Sequence, residues 1–102
     1  MTQIPIACTL SAADKTTRGD EWRQFLLTHV VEIVRSDTSA RMRLIGGDDV
    51  ILSTVDLARR EKECCAFFDF RLELLPDEVW LEVGVPDEAV AILDDLVNAA
   101  TT

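Results

Sequence analysis

Ile4, Ile6, Cys8 and Leu10 alternate with Pro5, Ala7 and Thr9. This period of two predicts a strand with the first four on one face. Ser11 followed by Asp14 is the pattern of a helix start. Gly19 then interrupts, and Trp22, Phe25 and Leu26 resume at helical spacing, which predicts a short turn, a break near Gly19 and a helix over about residues 20–28. The β-branched run at residues 30–35 predicts a strand that is apolar on both sides, with Val30 and Val34 opposite Val31 and Ile33. Ala40, Met42 and Leu44 alternate with Arg41 and Arg43 as its hairpin partner, and Gly46-Gly47-Asp48-Asp49 breaks the chain. Ser53 with Asp56 repeats the capping pattern, and Leu52 with Leu57 would form a hydrophobic staple, predicting a helix over about residues 54–68. Phe70, Leu72 and Leu74 make a further strand, Pro76 a tight turn, and Val79, Leu81 and Val83 a returning strand. Pro86, Asp87 and Glu88 suit the start of a last helix that runs to about Ala99.

The resulting order is β-α-β-β-α-β-β-α. It predicts a single α+β domain over residues 1–102, an antiparallel sheet covered on one face by helices in a two-layer sandwich. The first six elements follow the ferredoxin-like order, with a β-α unit added. Order alone does not fix which strands pair.

Charge and composition narrow the function classes. The 102 residues carry 19 acidic and 10 basic side chains, a formal net charge of −9. From Leu52 onward there are 12 acidic and 4 basic residues, against 7 and 6 before it, so the second half carries nearly all of the excess. Such acidity argues against binding to nucleic acid or to an anionic membrane surface. No apolar run reaches the roughly 18 residues of a membrane span. The first five residues lack the basic n-region of a signal peptide. Three Cys, two of them adjacent, make a poor disulfide framework. A reduced, cytoplasmic protein is the expectation.

The helix predicted over residues 54–68 holds the candidate chemistry. On a wheel of about 100° per residue with Leu57 at zero, Phe68 falls near 20°, Cys65 near 80° and Cys64 near 340°. Asp56, Arg59, Arg60 and Glu63 occupy the far side. Glu61 falls near 40°, inside the apolar stripe. A carboxylate there is costly unless it is paired, protonated or bound to a cation. Cys64 and Cys65 follow it by three and four residues, so the three groups can meet. Cys8 supplies a third thiol if its strand lies beneath this helix. A thiolate-rich pocket suits soft or borderline cations such as Zn(II), Cu(I) or Hg(II). The competing reading is that the cysteines only fill core volume and Glu61 reaches the rim. Adjacent cysteines lack Cys-x-x-Cys spacing, and on a regular helix they point about 100° apart.

The segment from Leu57 through Glu61-Lys62-Glu63-Cys64-Cys65-Ala66-Phe67-Phe68 to Phe70, with Glu78-Val79-Trp80-Leu81 beyond it, resembles small bacterial proteins with a Glu-x-Glu-Cys-Cys-(Pro)-Phe-Phe/Leu motif. Similar segments occur as domains attached to MerR-type metal-responsive regulators. Cys8-Thr9-Leu10-Ser11 and Arg18-Gly19-Asp20-Glu21-Trp22 extend the resemblance over most of the chain. It implies a thiol–metal role linked to mercury or related stress, with Glu61, Cys64 and Cys65 at the motif positions. Ala66 departs from the Pro common at that place.

Elsewhere the chain is less informative. His29, the only His, suits the C-terminal end of the second predicted helix better than a catalytic role. No phosphate-binding glycine motif and no nucleophile–base arrangement is visible, so an enzyme ranks third, behind metal binding and an interaction domain. Arg41, Arg43, Arg71, Glu73, Glu82 and Trp80 fall on the face of the sheet away from the helices. Trp80 there is either covered by an Arg stem or anchors a homodimer. The leading expectation is a small intracellular thiol-rich domain that binds a soft metal ion in a sensor, buffer or resistance role. The alternative is a non-catalytic, dimeric interaction domain with core cysteines.

Overall fold

Residues 12–101 are described by the computed structural model of the chain. The strand expected around Ile4 and Leu10, and Cys8 with it, lies outside them. The described elements are helix α1 (Ala12–His29), strands β1 (Val30–Arg35) and β2 (Ser39–Leu44), helix α2 (Asp48–Cys64), strands β3 (Asp69–Leu74) and β4 (Val79–Gly84), a 3-10 turn (Asp87–Ala89) and helix α3 (Val90–Ala99). The strands form an antiparallel sheet in the order β1-β2-β4-β3. This is the α+β architecture that the residue pattern predicts. The finer pairing differs from the ferredoxin-like one. There the first strand would lie between β2 and β3, but β4 takes that place and pairs with both.

The alternation in β2 decides which face is covered. Ala40, Met42 and Leu44 are buried, and opposite them in β4 lie Val83, Leu81 and Val79. Against this face pack Trp22, Phe25 and Leu26 of α1, Val50 and Leu57 of α2, and Leu93 of α3. The other face carries Arg41, Arg43, Glu32 and Glu73, which pair with one another at 2.7 Å (Arg41–Glu73) and 3.2 Å (Arg43–Glu32). The Arg41 guanidinium lies 4.6 Å from the centre of the Trp80 ring, so Trp80 is buried on this face under an Arg stem.

Four expectations are corrected, each for a local reason. α1 runs unbroken through Gly19, where an added Cβ would meet nothing within 4 Å. A helical glycine costs only about 1 kcal/mol, and the buried ring of Trp22 just beyond it outweighs that. α2 starts at Asp48, not near residue 54. Asp48 and Asp49 sit favourably at its positive end, while Ser53 is mid-helix and exposed and Leu52 is 67 % exposed, so neither the cap nor the staple forms. α2 also ends at Cys64, four residues early. Continued helix would carry Phe67 to the charged side of the wheel, whereas the turn buries both Phe67 and Phe68. Finally, β1 contains a bulge: Val30 pairs with Leu44 and Glu32 with Arg43, which leaves Val31 extra. Val30 and Ile33 therefore both face the core, and Val31 and Val34 are exposed.

Candidate metal centre

α1 and α2 lie antiparallel, so the first half of α1 meets the last turns of α2. Glu61 belongs to the stripe Val50, Thr54, Leu57, Glu61 and Cys64, all buried at helical spacing. Its carboxylate is met from α1. Arg18 Nη1 donates to Glu61 Oε2 at 3.1 Å, and Trp22 Nε1 donates to the same oxygen at 3.3 Å. Both bonds fall on Oε2 and leave Oε1 outside them. Arg18 and Trp22 are four residues apart, one helical turn, which sets both donors on the same side of α1.

The thiols stand beside this pair. Arg18 Nη1 also reaches Cys64 Sγ at 3.6 Å, and Cys64 Sγ approaches the carbonyls of Arg60 and Glu61. Arg18 is held above the ordinary guanidinium pKa. Burial works against its charge, but the hydrogen bond to Glu61 and the pull of Cys64 and Glu61 outweigh that. A second clasp holds the two helices in register: Arg60 forks onto Glu21 at 2.9 and 3.3 Å.

The helix end changes what adjacent cysteines can do. Cys65 leaves the helix with φ −129° and ψ 72°, and its N–H donates to Glu61 O at 2.7 Å. The turn is closed by Phe68 N–H donating to Cys65 O, and by Lys62 Nζ donating to the carbonyls of Ala66 at 2.8 Å and Phe68 at 2.7 Å. The roughly 100° divergence of neighbours on a regular helix therefore does not apply to Cys64 and Cys65. One ligand atom from each of Glu61, Cys64 and Cys65 lies within 4.8 Å of the others. Two sulfurs on one zinc, each at about 2.3 Å, stand no more than about 4.6 Å apart. Small side-chain adjustments bring the group into ligating range.

A row of aromatic rings starts from Trp22, the donor to Glu61. Trp22 stacks on Phe70 with centroids 5.8 Å apart, Phe70 on Phe68 at 5.5 Å, and Phe68 lies 4.6 Å from Phe67. Cys64, Cys65 and Glu61 are 7, 4 and 9 % exposed.

Of the residues singled out from the sequence, Glu61, Cys64 and Cys65 come together, and Cys8 lies outside the described residues. Residue reasoning overlooked Arg18 and Trp22 as partners of Glu61. The signal was the demand itself: a carboxylate in an apolar stripe needs donors, and Arg18 and Trp22 offer them one turn apart. His29 ends α1, with its ring tilted against Phe25 at 5.0 Å, and contacts the Ile45 carbonyl at 3.2 Å. No helix among the described residues is long and apolar enough to cross a membrane. No family model, curated protein or solved structure matches this chain.

Proposed function

We propose that this chain binds a soft metal ion through Cys64 and Cys65, with Glu61 completing or tuning the site. The observation that carries the reading is the approach of the three ligand atoms to within 4.8 Å at the buried end of α2. Two thiolates and a carboxylate suit Zn(II), Cu(I) or Hg(II). The contact of Arg18 Nη1 with Cys64 Sγ at 3.6 Å fixes that sulfur beside the carboxylate. Arg18 and Trp22 orient the carboxylate from the second layer around the ion, as hydrogen-bonded partners of ligands do. The role is a sensor, buffer or resistance accessory, in line with the thiol–metal role that the resemblance to domains of metal-responsive regulators implies, and the thiols suit a reducing compartment such as the cytoplasm. Cys8, outside the described residues, is the candidate for a third thiol.

The burial of both thiols favours a second reading, in which they only fill the core of a dimeric interaction domain. One titration separates the two. Reduced protein is titrated with Zn(II) and with Hg(II), and thiolate-to-metal absorption is followed in wild type, Cys64→Ser, Cys65→Ser, Cys8→Ser and the Cys64→Ser/Cys65→Ser double variant. The metal reading expects saturation at one ion per chain, lost in the double variant. Wild type that binds no better than the double variant overturns it. If Cys8→Ser matches wild type, Cys8 is removed from the ligand set.

A further inference from the structure

Arg18 is an unusual neighbour for a cation site. Its guanidinium, permanently protonated, stands 3.6 Å from Cys64 Sγ and 3.1 Å from Glu61 Oε2, and its side chain is only 16 % exposed. A divalent ion held by the same two residues would lie within a few ångströms of that charge, in a poorly solvated place where repulsion is weakly screened. Among the described residues the cluster also offers three donors, one fewer than a structural zinc takes. A thiophile that is neutral and three-coordinate avoids both penalties.

From this juxtaposition of two thiols, a carboxylate and a fixed guanidinium we infer that the site takes trivalent arsenic, as neutral arsenous acid, in preference to a divalent cation. The inference rests on the proposed role of Cys64 and Cys65 as a thiol ligand pair. Binding exchanges two hydroxyls for two thiols: As(OH)3 and two R–SH give (R–S)2As–OH and two waters. Two As–O bonds break and two As–S bonds form. The thiol protons leave in the waters, and arsenic stays at oxidation state three. The net charge of the site does not change, so Arg18 keeps its bond to Glu61. The remaining hydroxyl on arsenic is both donor and acceptor, and it matches a neighbourhood that holds a carboxylate and a guanidinium.

The test uses the full chain, reduced with a phosphine rather than a thiol. Sodium arsenite and Hg(II) are added separately. Intact mass is read along with protection of thiols against alkylation, in wild type and in Cys8→Ser, whose only thiols are Cys64 and Cys65. Arsenite is expected to add one AsOH with loss of two hydrogens and to protect both thiols of Cys8→Ser. Fluorescence of Trp22 in a Trp80→Phe variant gives a second titration without alkylation. Protection by Hg(II) but not by arsenite, or protection of one thiol only, overturns this inference and leaves the soft-metal reading standing. Protection by neither overturns both. The charge argument is tested with Arg18→Met. Its arsenite-over-Zn(II) preference is expected to fall by on the order of tenfold, while Arg18→Lys keeps it. An unchanged preference in Arg18→Met refutes the role given to Arg18.

Discussion

Removing Arg18 is expected to cost far more stability than removing Glu61, although the two share one contact. At 3.1 Å and an effective dielectric constant of about 20, the pair's attraction is roughly 5 kcal/mol before desolvation. Desolvation of two poorly exposed side chains cancels much of that. Arg18→Met leaves a buried carboxylate with one remaining described donor, the neutral Trp22 Nε1 at 3.3 Å. Breaking a fully buried pair from one side costs about 3–5 kcal/mol. Here the side chains are 16 and 11 % exposed, so about 2–3 kcal/mol is expected. Glu61→Leu instead removes the charge from the apolar stripe. Arg18 then keeps Glu21, 3.8 Å away, and a route to water, so the change should stay within about 1 kcal/mol. The double variant should recover most of the Arg18→Met loss. Urea unfolding of the four proteins, with a common slope, gives the cycle directly. The Arg18→Met midpoint should also fall by roughly 10–20 °C on heating. Equal costs for the two single variants, or a coupling below about 0.5 kcal/mol, would refute the account of Glu61 as a buried charge that depends on Arg18.

Other substitutions probe the frame around the site. Gly19→Ala should stabilise the chain by about 0.5–1 kcal/mol, because the added methyl meets nothing and α1 loses its weakest residue; a lower urea midpoint would contradict the continuous helix. Gly46→Ala should cost about 2 kcal/mol or more, since φ is +135° and the new Cβ would collide with the buried Val50 side chain. Lys62→Met removes two bonds to the turn after α2 and should cost about 1 kcal/mol, with faster alkylation of Cys65 as the local signature. For pH, the raised Arg18 value means that its stabilisation is complete at every pH below the ordinary guanidinium range and is lost only in strongly alkaline solution. The gap between wild type and Arg18→Met should therefore persist at pH 9, measured by urea unfolding; its disappearance there would assign the effect to another group.

The legible parts of the fold were those where local pattern and tertiary demand agree. Ala40, Met42 and Leu44 alternate because one face of β2 is buried, and the buried stripe through Leu57, Glu61 and Cys64 follows from 3.6 residues per turn alone. The errors came where a contact distant in sequence overrides a local preference. Gly19 is a weak helix residue held in place by the burial of Trp22. Phe67 would be a helix residue if it did not need to reach the core. The bulge at Val31 is invisible to a reading that assumes strict alternation. Arg18 could be named as Glu61's partner only once α1 and α2 were known to run antiparallel, 43 residues apart in the chain.

That bulge also bears on how the sheet ends. Among the described residues β1 borders the sheet, and a regular border exposes a row of backbone donors and acceptors to which a strand of another molecule can add. Val31 and Val34, 48 and 45 % exposed, would make such an edge adhesive as well as open. The extra residue at Val31 interrupts the row and increases the local twist, so an incoming strand finds no continuous register to follow. A residue that reads as one valine too many in the sequence thus protects the sheet's border against runaway strand addition.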